Sequence, residues 1–425
     1  MTPSLDRSYA EQLDREDSLA AFREAFHFPR GAHGGRSVYL CGHSLGLQPK
    51  DVAHIVGEEL DAWATLAVDA HFSSKRPWVA YHEQLTPGLA RLAGALPSEV
   101  VAMNSLSVNL HLMLASFYRP QGRRRKVLIE HRAFSSDRYA VRSHIQHRGL
   151  DPADTLIELA PRAGSYVFDC EEICEAIARE AEELALVLLP GVQYLSGQSF
   201  DMAAITTCAR RHGCTIGFDL AHAIGNVPLH LHDWDVDFAV WCSYKYLNGG
   251  PGAIGGCFVH ERHGRAFELP RLAGWWGHDK RSRFAMPDNF VPLTGAEGWQ
   301  ISNPPILAAA PLLASLALFE RAGLDPLRAK SIRLTGYLES LLRAWLGDTL
   351  EILTPRNAEA RGCQLSLRLN MPSERARRIH EQLHREGFVC DWREPDVIRV
   401  APVPLYNSFV DVWQFANALR SLCST

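Results

Sequence analysis

The chain has 425 residues, 47% hydrophobic and 22% charged, with a formal net charge of -4. That length allows two or three domains and a large buried core. The near-neutral balance argues against nucleic acid or an anionic membrane as a partner. Ten cysteines are scattered without a CxxC pair. The nearest two, Cys170 and Cys174, have no second pair at zinc-ligand spacing, so no metal centre is expected. Free thiols fit a reducing compartment.

In chain order, the opening MTPSLDRSYAEQLDRED is polar and lacks the apolar core of a secretory signal. No apolar run reaches the roughly 18 residues that a membrane span needs. The expectation is a cytoplasmic protein without a membrane partner. Strand-like runs at 100–103, 127–130, 184–189, 215–218, 238–241 and 253–259 alternate with helix-like stretches at 107–118, 169–183 and 201–211. The basic residues Arg123, Arg124, Arg125 and Lys126 read as a solvated loop before the second strand. Such alternation predicts an α/β domain around a mostly parallel sheet, with ligands at the carboxyl ends of its strands. Two long helices follow at 305–323 and 325–347, the second with Asp325 as cap and Pro326 in its first turn. A strand at 364–369, a helix at 374–387, a strand at 397–400 and a helix at 408–422 complete a smaller α+β region. The expected division is a large domain over 51–309 and a small one built from 1–50 and 310–425.

The chemistry concentrates in GFDLAHAIGNV and SYKYLNGGPGAIGG. Asp219 ends one predicted strand, and Lys245 follows the next. Two neighbouring strand ends can aim a carboxylate and an amine at one ring. An electron-sink aldehyde cofactor needs that arrangement: a lysine to form an imine, and an acid beside the pyridine nitrogen. Singly, a lysine in a glycine-rich loop is a surface residue and an Asp after a strand is a helix cap. Together, in strand context, they favour a site. Ser107, at a predicted helix start, offers a hydroxyl and helix N–H groups to a phosphate. Phe134, in FSSD, could stack on a pyridine ring, the plainer reading being core packing. Gly250-Pro-Gly252-Ala-Ile-Gly255 matches GxGxxG, but Pro251 interrupts it and a β-rich run follows, so it reads as a turn rather than a dinucleotide site. His230, His232 and Asp233 have poor metal-ligand spacing and read as a loop. Trp275 and Trp276 are a cofactor edge, a dimer contact or packing. Arg399 could fork onto a substrate carboxylate, the alternative being a surface ion pair.

Long stretches then converge: LCGHSLGLQPK, KRPWV, MNSLSVNLHLML, GFDLAHAIGNV, WCSYKYLNGGPGAIGG, GWWGH, ISNPPIL, RGCQL and IRVAPVPLYNSF. In these the chain resembles the kynureninases, fold-type I enzymes that use pyridoxal 5′-phosphate (PLP). The resemblance runs from about Tyr39 to Phe409. It implies Lys245 as the Schiff-base lysine and Asp219 at the pyridinium nitrogen, with His222 close by. Phe134 would stack on the ring, with Ser135, Ser136 and Asp137 in its binding set. Leu106, Ser107, Tyr244, Trp275 and Asn303 would support the cofactor, chiefly its phosphate, some of them from the partner subunit of a homodimer with shared sites. Ser44, His71, Asn303 and Arg399 would meet the substrate, with Arg399 on its α-carboxylate. Tyr244 would relay a proton beside Lys245. Ser107 stands where the family commonly has Thr, which keeps the hydroxyl. Pro190 stands where relatives carry a cofactor-binding Ser, and proline offers no donor there. His71 and Asn303 follow the animal-type pattern that favours 3-hydroxykynurenine, since both can hydrogen-bond a ring hydroxyl. The implied reaction splits L-kynurenine or 3-hydroxy-L-kynurenine into an anthranilate and L-alanine, in tryptophan catabolism or NAD synthesis. Three rivals stand beside it. A cysteine desulfurase or selenocysteine lyase would need a nucleophilic Cys, for which Cys363 is the candidate. An aminotransferase would need a keto-acid acceptor. A non-catalytic PLP-binding module would keep the fold alone.

Overall fold

A computed structural model describes residues 4–31 and 34–424. Its centre is a sheet of seven strands. Across the sheet they run Val100–Ala102, Gly256–Val259, Phe238–Trp241, Thr215–Asp219, Leu184–Pro190, Lys126–Glu130 and Leu156–Leu159. Gly256–Val259 runs antiparallel to both its neighbours, and the remaining adjacent pairs are parallel. The central strands are apolar almost throughout because both faces are covered. Leu186 and Leu188 look to one face, with the helices Leu106–Phe117 and Ser135–His147. Val187 and Leu189 look to the other, with Cys170–Glu180, Met202–Arg211 and Ile306–Ala322. The alternation is the two-residue period of a strand sandwiched between helix layers.

A second core joins the two chain ends. Ala10, Leu13, Val38 and Leu40 pack with Leu338, Leu342, Leu367, Ile398, Phe415 and their neighbours. Its sheet is antiparallel, ordered Asp391–Arg393, Val397–Val400, Leu365–Leu369, Leu350–Ile352. The strand Val38–Tyr39 pairs in parallel with Phe388–Val389, which ties the N-terminal segment to this part. Helix Ile306–Ala322 gives Ala309, Leu312 and Phe319 to the large core without a break at 309–310.

The structure corrects one start signal. Asp325 is not a cap: the helix Leu324–Leu346 begins after Gly323, whose φ of 76° sets the turn, and Asp325 lies inside the first turn. Strand Leu156–Leu159 and helix Ser135–His147 were not foreseen. The first is a half-buried edge strand, and the second carries few apolar residues. Among the described residues, no single helix is long and apolar enough to cross a membrane.

Candidate active site

The parallel strands end together on one side of the sheet, and a pocket opens there. Asp219 closes its strand, paired in register with Pro190 on one side and Val240 on the other. The loop after Phe238–Trp241 carries Tyr244 and Lys245 to the same edge. The segment around Ser44 presses on this loop. The Gly46 N–H donates to the Tyr244 carbonyl at 2.8 Å. A Cβ on Gly46 would lie 2.4 Å from the Lys245 carbonyl oxygen, so only glycine permits the approach.

The pocket is lined by Leu106, Ser107, Phe134, Ser136, Asp137, Asp219, His222, Tyr244 and Lys245 among the expected residues. Lys245 Nζ stands 5.7 Å from the centre of the Phe134 ring. Asp219 Oδ1 accepts from the Ala221 N–H at 2.7 Å. Asp137 lies against Asp219 and accepts a hydrogen bond from Ser136 Oγ at 3.1 Å. Burial, and then the neighbouring Asp219, push the Asp137 carboxyl well above the usual carboxylate range. His222 is buried with Nδ1 unpartnered. Desolvation, then Lys245 and Arg399, hold it well below its ordinary value, so its ring is neutral. Ser107 is the second residue of helix Leu106–Phe117, whose N-terminus faces the pocket.

Glu130 is a functional candidate that the sequence reading missed. It ends its strand as Asp219 does, lines the same pocket, and leaves Oε2 without a partner. Desolvation pushes it up to about 8. The signal was present: an acid at the carboxyl end of a predicted strand. Val192 and Tyr194 also line the pocket unforeseen. Pro190 is in the wall and can contribute only shape.

Other expected residues lie outside this wall. Ser135 opens helix Ser135–His147 beside the pocket without lining it. Ser44 donates its N–H to the Cys41 carbonyl at 2.9 Å. His71 sits edge-on to Trp78, with ring centres 5.3 Å apart, and Asn303 is exposed. Trp275 is 47% exposed and packs on Trp276 and Phe284. Arg399 is buried rather than in a surface ion pair. Its Nε donates to Asp391 Oδ2 at 2.6 Å and its Nη1 to the Tyr194 carbonyl at 2.7 Å. The hydroxyl of Tyr244 lies near the Cys242 thiol, and burial raises its proton affinity. His232 is not a free loop residue. Its Nδ1 lies 3.0 Å from Glu99 Oε1, and its ring stacks on His260. That group is closed by hydrogen bonds, because Glu99 also accepts from the Glu261 N–H and His260 Nδ1 from the Arg262 N–H.

An amine over an aromatic face, a buried carboxylate pair, a neutral imidazole with a free ring nitrogen and a helix N-terminus with a hydroxyl form a donor set that fits PLP. With the parallel sheet, they define a fold-type I PLP-dependent enzyme.

Solved structures of the same fold include the cysteine desulfurase CsdA of Escherichia coli, with a TM-score of 0.76 and 17% identity over 96% of this chain and 98% of that one. A cysteine desulfurase from Thermococcus onnurineus NA1 gives 0.74 and 18% over 91% and 95%. These likenesses establish the fold. Residues 80–230 match the DegT/DnrJ/EryC1/StrS aminotransferase family, and residues 327–419 match the kynureninase C-terminal domain. A kynureninase of Koribacter versatilis is 55% identical over 96% of both chains. One of Xanthomonas oryzae pv. oryzae is 55% identical over 99% of both. The chain belongs to the kynureninase family.

Proposed function

We propose that the protein hydrolyses the Cβ–Cγ bond of L-kynurenine and, preferentially, 3-hydroxy-L-kynurenine, releasing an anthranilate and L-alanine. The observation that carries this reading is Lys245 Nζ over the Phe134 ring in a pocket shared with Asp219 and His222.

Bound PLP supplies a ring that accepts electrons from the carbon beside the substrate's amino group. Lys245 holds the cofactor aldehyde through Nζ. As a free amine, that Nζ would take and return the proton on the carbon beside the substrate's amino group. Asp219 holds the ring nitrogen protonated, and Asp137, carrying its own proton, donates toward Asp219 so that the two do not repel. Phe134 fixes the ring plane, while the N–H groups and Ser107 hydroxyl at the start of Leu106–Phe117 hold the phosphate. Arg399 would meet the α-carboxylate by turning Nη1 from the Tyr194 carbonyl while Asp391 keeps its other side. Tyr244 completes the wall beside Lys245 and relays a proton to the leaving product.

A homodimer supports the residues that one chain leaves outside the pocket. His71, Trp275 and Asn303 sit on segments that also expose Phe72 at 63%, Phe284 at 53% and Met286 at 81%. Apolar surface of that extent suits a second copy of the chain. We assign the protein to the cytoplasm, and propose that its two parts divide along the helix Leu324–Leu346, which touches both cores.

Cys363 argues against a desulfurase. It is 1% exposed, and desolvation pushes its thiol up to about 12, whereas a sulfur nucleophile needs access and a low pKa.

The test is kcat/KM for both substrates with alanine as product. Preference for the hydroxylated substrate supports His71 and Asn303 as its readers. Preference for kynurenine removes that argument, and no alanine from either removes the function. Lys245→Ala is expected to lose at least about 10³-fold in turnover while remaining folded.

A further inference from the structure

The helices that carry Ser107 and Asp137 into the cofactor pocket also build a second cavity with their later turns. His111 and Ala115 come from Leu106–Phe117, and His144 and His147 from Ser135–His147. Arg148 follows the second helix, and Arg271 reaches in from the loop above. The space measures about 560 Å³, and no acidic side chain lines it. Three imidazoles and two guanidiniums therefore face one another.

Their bonding leaves donors over. Arg148 Nη2 donates to the Ala115 carbonyl at 2.8 Å, and Arg271 Nη2 to the Ala266 carbonyl at 3.1 Å. Arg271 Nε and Nη1 are buried without a partner, although the guanidinium lies 3.8 Å from the Trp299 ring centre. His144 is 8% exposed. It bonds to the Leu114 backbone, and its Nε2 is unpartnered. Buried donors without acceptors cost free energy, and like charges gathered around a cavity cost more. An oxyanion in the cavity relieves the like charges, and a guanidinium fork matches its geometry.

We propose that this cavity binds a multiply charged oxyanion, a phosphate ester or a polycarboxylate. Arg148 and Arg271 supply the fixed charge. His144 joins by taking a proton on Nε2 as the anion enters. Desolvation, then Arg148, His111 and His147, hold His144 down at about 4 in the free protein, so the anion draws the proton in. The groups facing it are His111, Tyr118, His147, Arg148 and Arg271, with Glu268 the acid nearest to Arg271. Binding is therefore tighter at lower pH.

Calorimetric titration of the PLP-loaded protein with pyrophosphate, inorganic phosphate and citrate, at ionic strength held constant with chloride, tests this. The expected result is saturable pyrophosphate or citrate binding, about tenfold tighter at pH 6 than at pH 8 once the anion's own protonation is subtracted. Arg148→Gln and Arg271→Gln should each weaken it about tenfold, with turnover and the cofactor absorbance unchanged. His144→Gln should weaken binding more at pH 6 than at pH 8. Pyrophosphate favoured over citrate assigns the site to phosphate compounds, and the reverse to carboxylates. If Arg271→Gln loses its Trp299 contact and fails to fold, exposed Arg148→Gln still decides. No heat beyond that of chloride, or equal affinity in Arg148→Gln and the parent, overturns the proposal.

Discussion

Glu130, Asp137 and Asp219 share one pocket at the strand ends, while Asp391 in the smaller sheet is ringed by cations. Both sets are buried or nearly so, and burial on its own raises Glu130, Asp137 and Asp391. In the pocket nothing outweighs it: Glu130 is pushed up to about 8, and Asp137 is driven higher by Asp219 as well. Around Asp391 burial is overcome by His43 and Arg399, with Arg393 bonded at 3.0 Å, and its carboxyl falls far below the usual range. Burial therefore does not distinguish a working acid from a structural one. The partner does. Glu130 and Asp137, with no cation bonded to them, hold protons at neutral pH, whereas Asp391 among its arginines is a fixed anion that holds the fold.

The largest test of that contrast is Asp391→Asn. Arg399 is 1% exposed and would keep its charge without a counter-ion, a loss of about 3 to 5 kcal/mol. Urea unfolding at neutral pH measures it. The Asp391 pKa is depressed on folding, so the difference from the parent should be full above about pH 4 and shrink as the pH falls further. A loss below about 1 kcal/mol would place Asp391 with the surface pairs and break the comparison.

Asp219→Asn removes the pocket acid that we propose faces the ring. Turnover is expected to fall about 10²-fold or more, since a fixed charge at the reacting group is lost. Its neighbour should respond too. Without the Asp219 charge, the Asp137 carboxyl should titrate lower, readable by infrared spectroscopy of the protonated carboxyl. Unchanged turnover would remove Asp219 from the site.

Much of the pocket was legible because strand ends converge. Asp219 and Lys245 stood in two adjacent apolar runs, and the parallel sheet turned that spacing into proximity. Glu130 obeys the same rule, but in the strand Lys126–Glu130 its signal is masked by the three apolar residues before it. Arg399 was recognised, but its clamp was not. Asp391 lies directly opposite it across an antiparallel pair, and that register depends on a short strand, Asp391–Arg393, whose residues are half-buried and carry no alternating pattern. Leu156–Leu159 was missed for a similar reason, as an edge strand shows no contrast between buried and exposed faces. His71, Trp275 and Asn303 enter only through family resemblance, and a single chain holds them away from the pocket.

Glu130→Gln sharpens the contrast through pH. In the cofactor-free protein Glu130 binds a proton up to about pH 8, while in the unfolded chain it releases it near pH 4.5. The folded state thus holds more protons between these values. The stability from this group is full below about pH 4.5 and is lost as the pH rises through 8. The parent should lose about 2 to 3 kcal/mol relative to Glu130→Gln between pH 5 and pH 8, by urea unfolding at both. A flat difference would mean that Glu130 is ionised in the fold.

Glu297→Gln gives the smallest effect and the opposite slope. Glu297 bonds to His82 Nε2 at 3.0 Å and to Lys280 Nζ at 2.8 Å. Burial raises its pKa, but those two partners outweigh burial and hold the carboxyl down at about 2. Its side chain is 24% exposed and Lys280 42%, so solvent screens the pair and the loss should be about 1 kcal/mol at neutral pH. The sign reverses that of Glu130. The stability is full above about pH 4.5 and fades as the pH falls toward 2. Two glutamates, each within hydrogen-bonding distance of a neutral or cationic neighbour, should then give parent-minus-variant differences of opposite slope: falling with pH for Glu130, and rising with pH for Glu297. Slopes of the same sign would mean that the partner does not decide the protonation state, and the division between pocket acids and structural acids would fail with it.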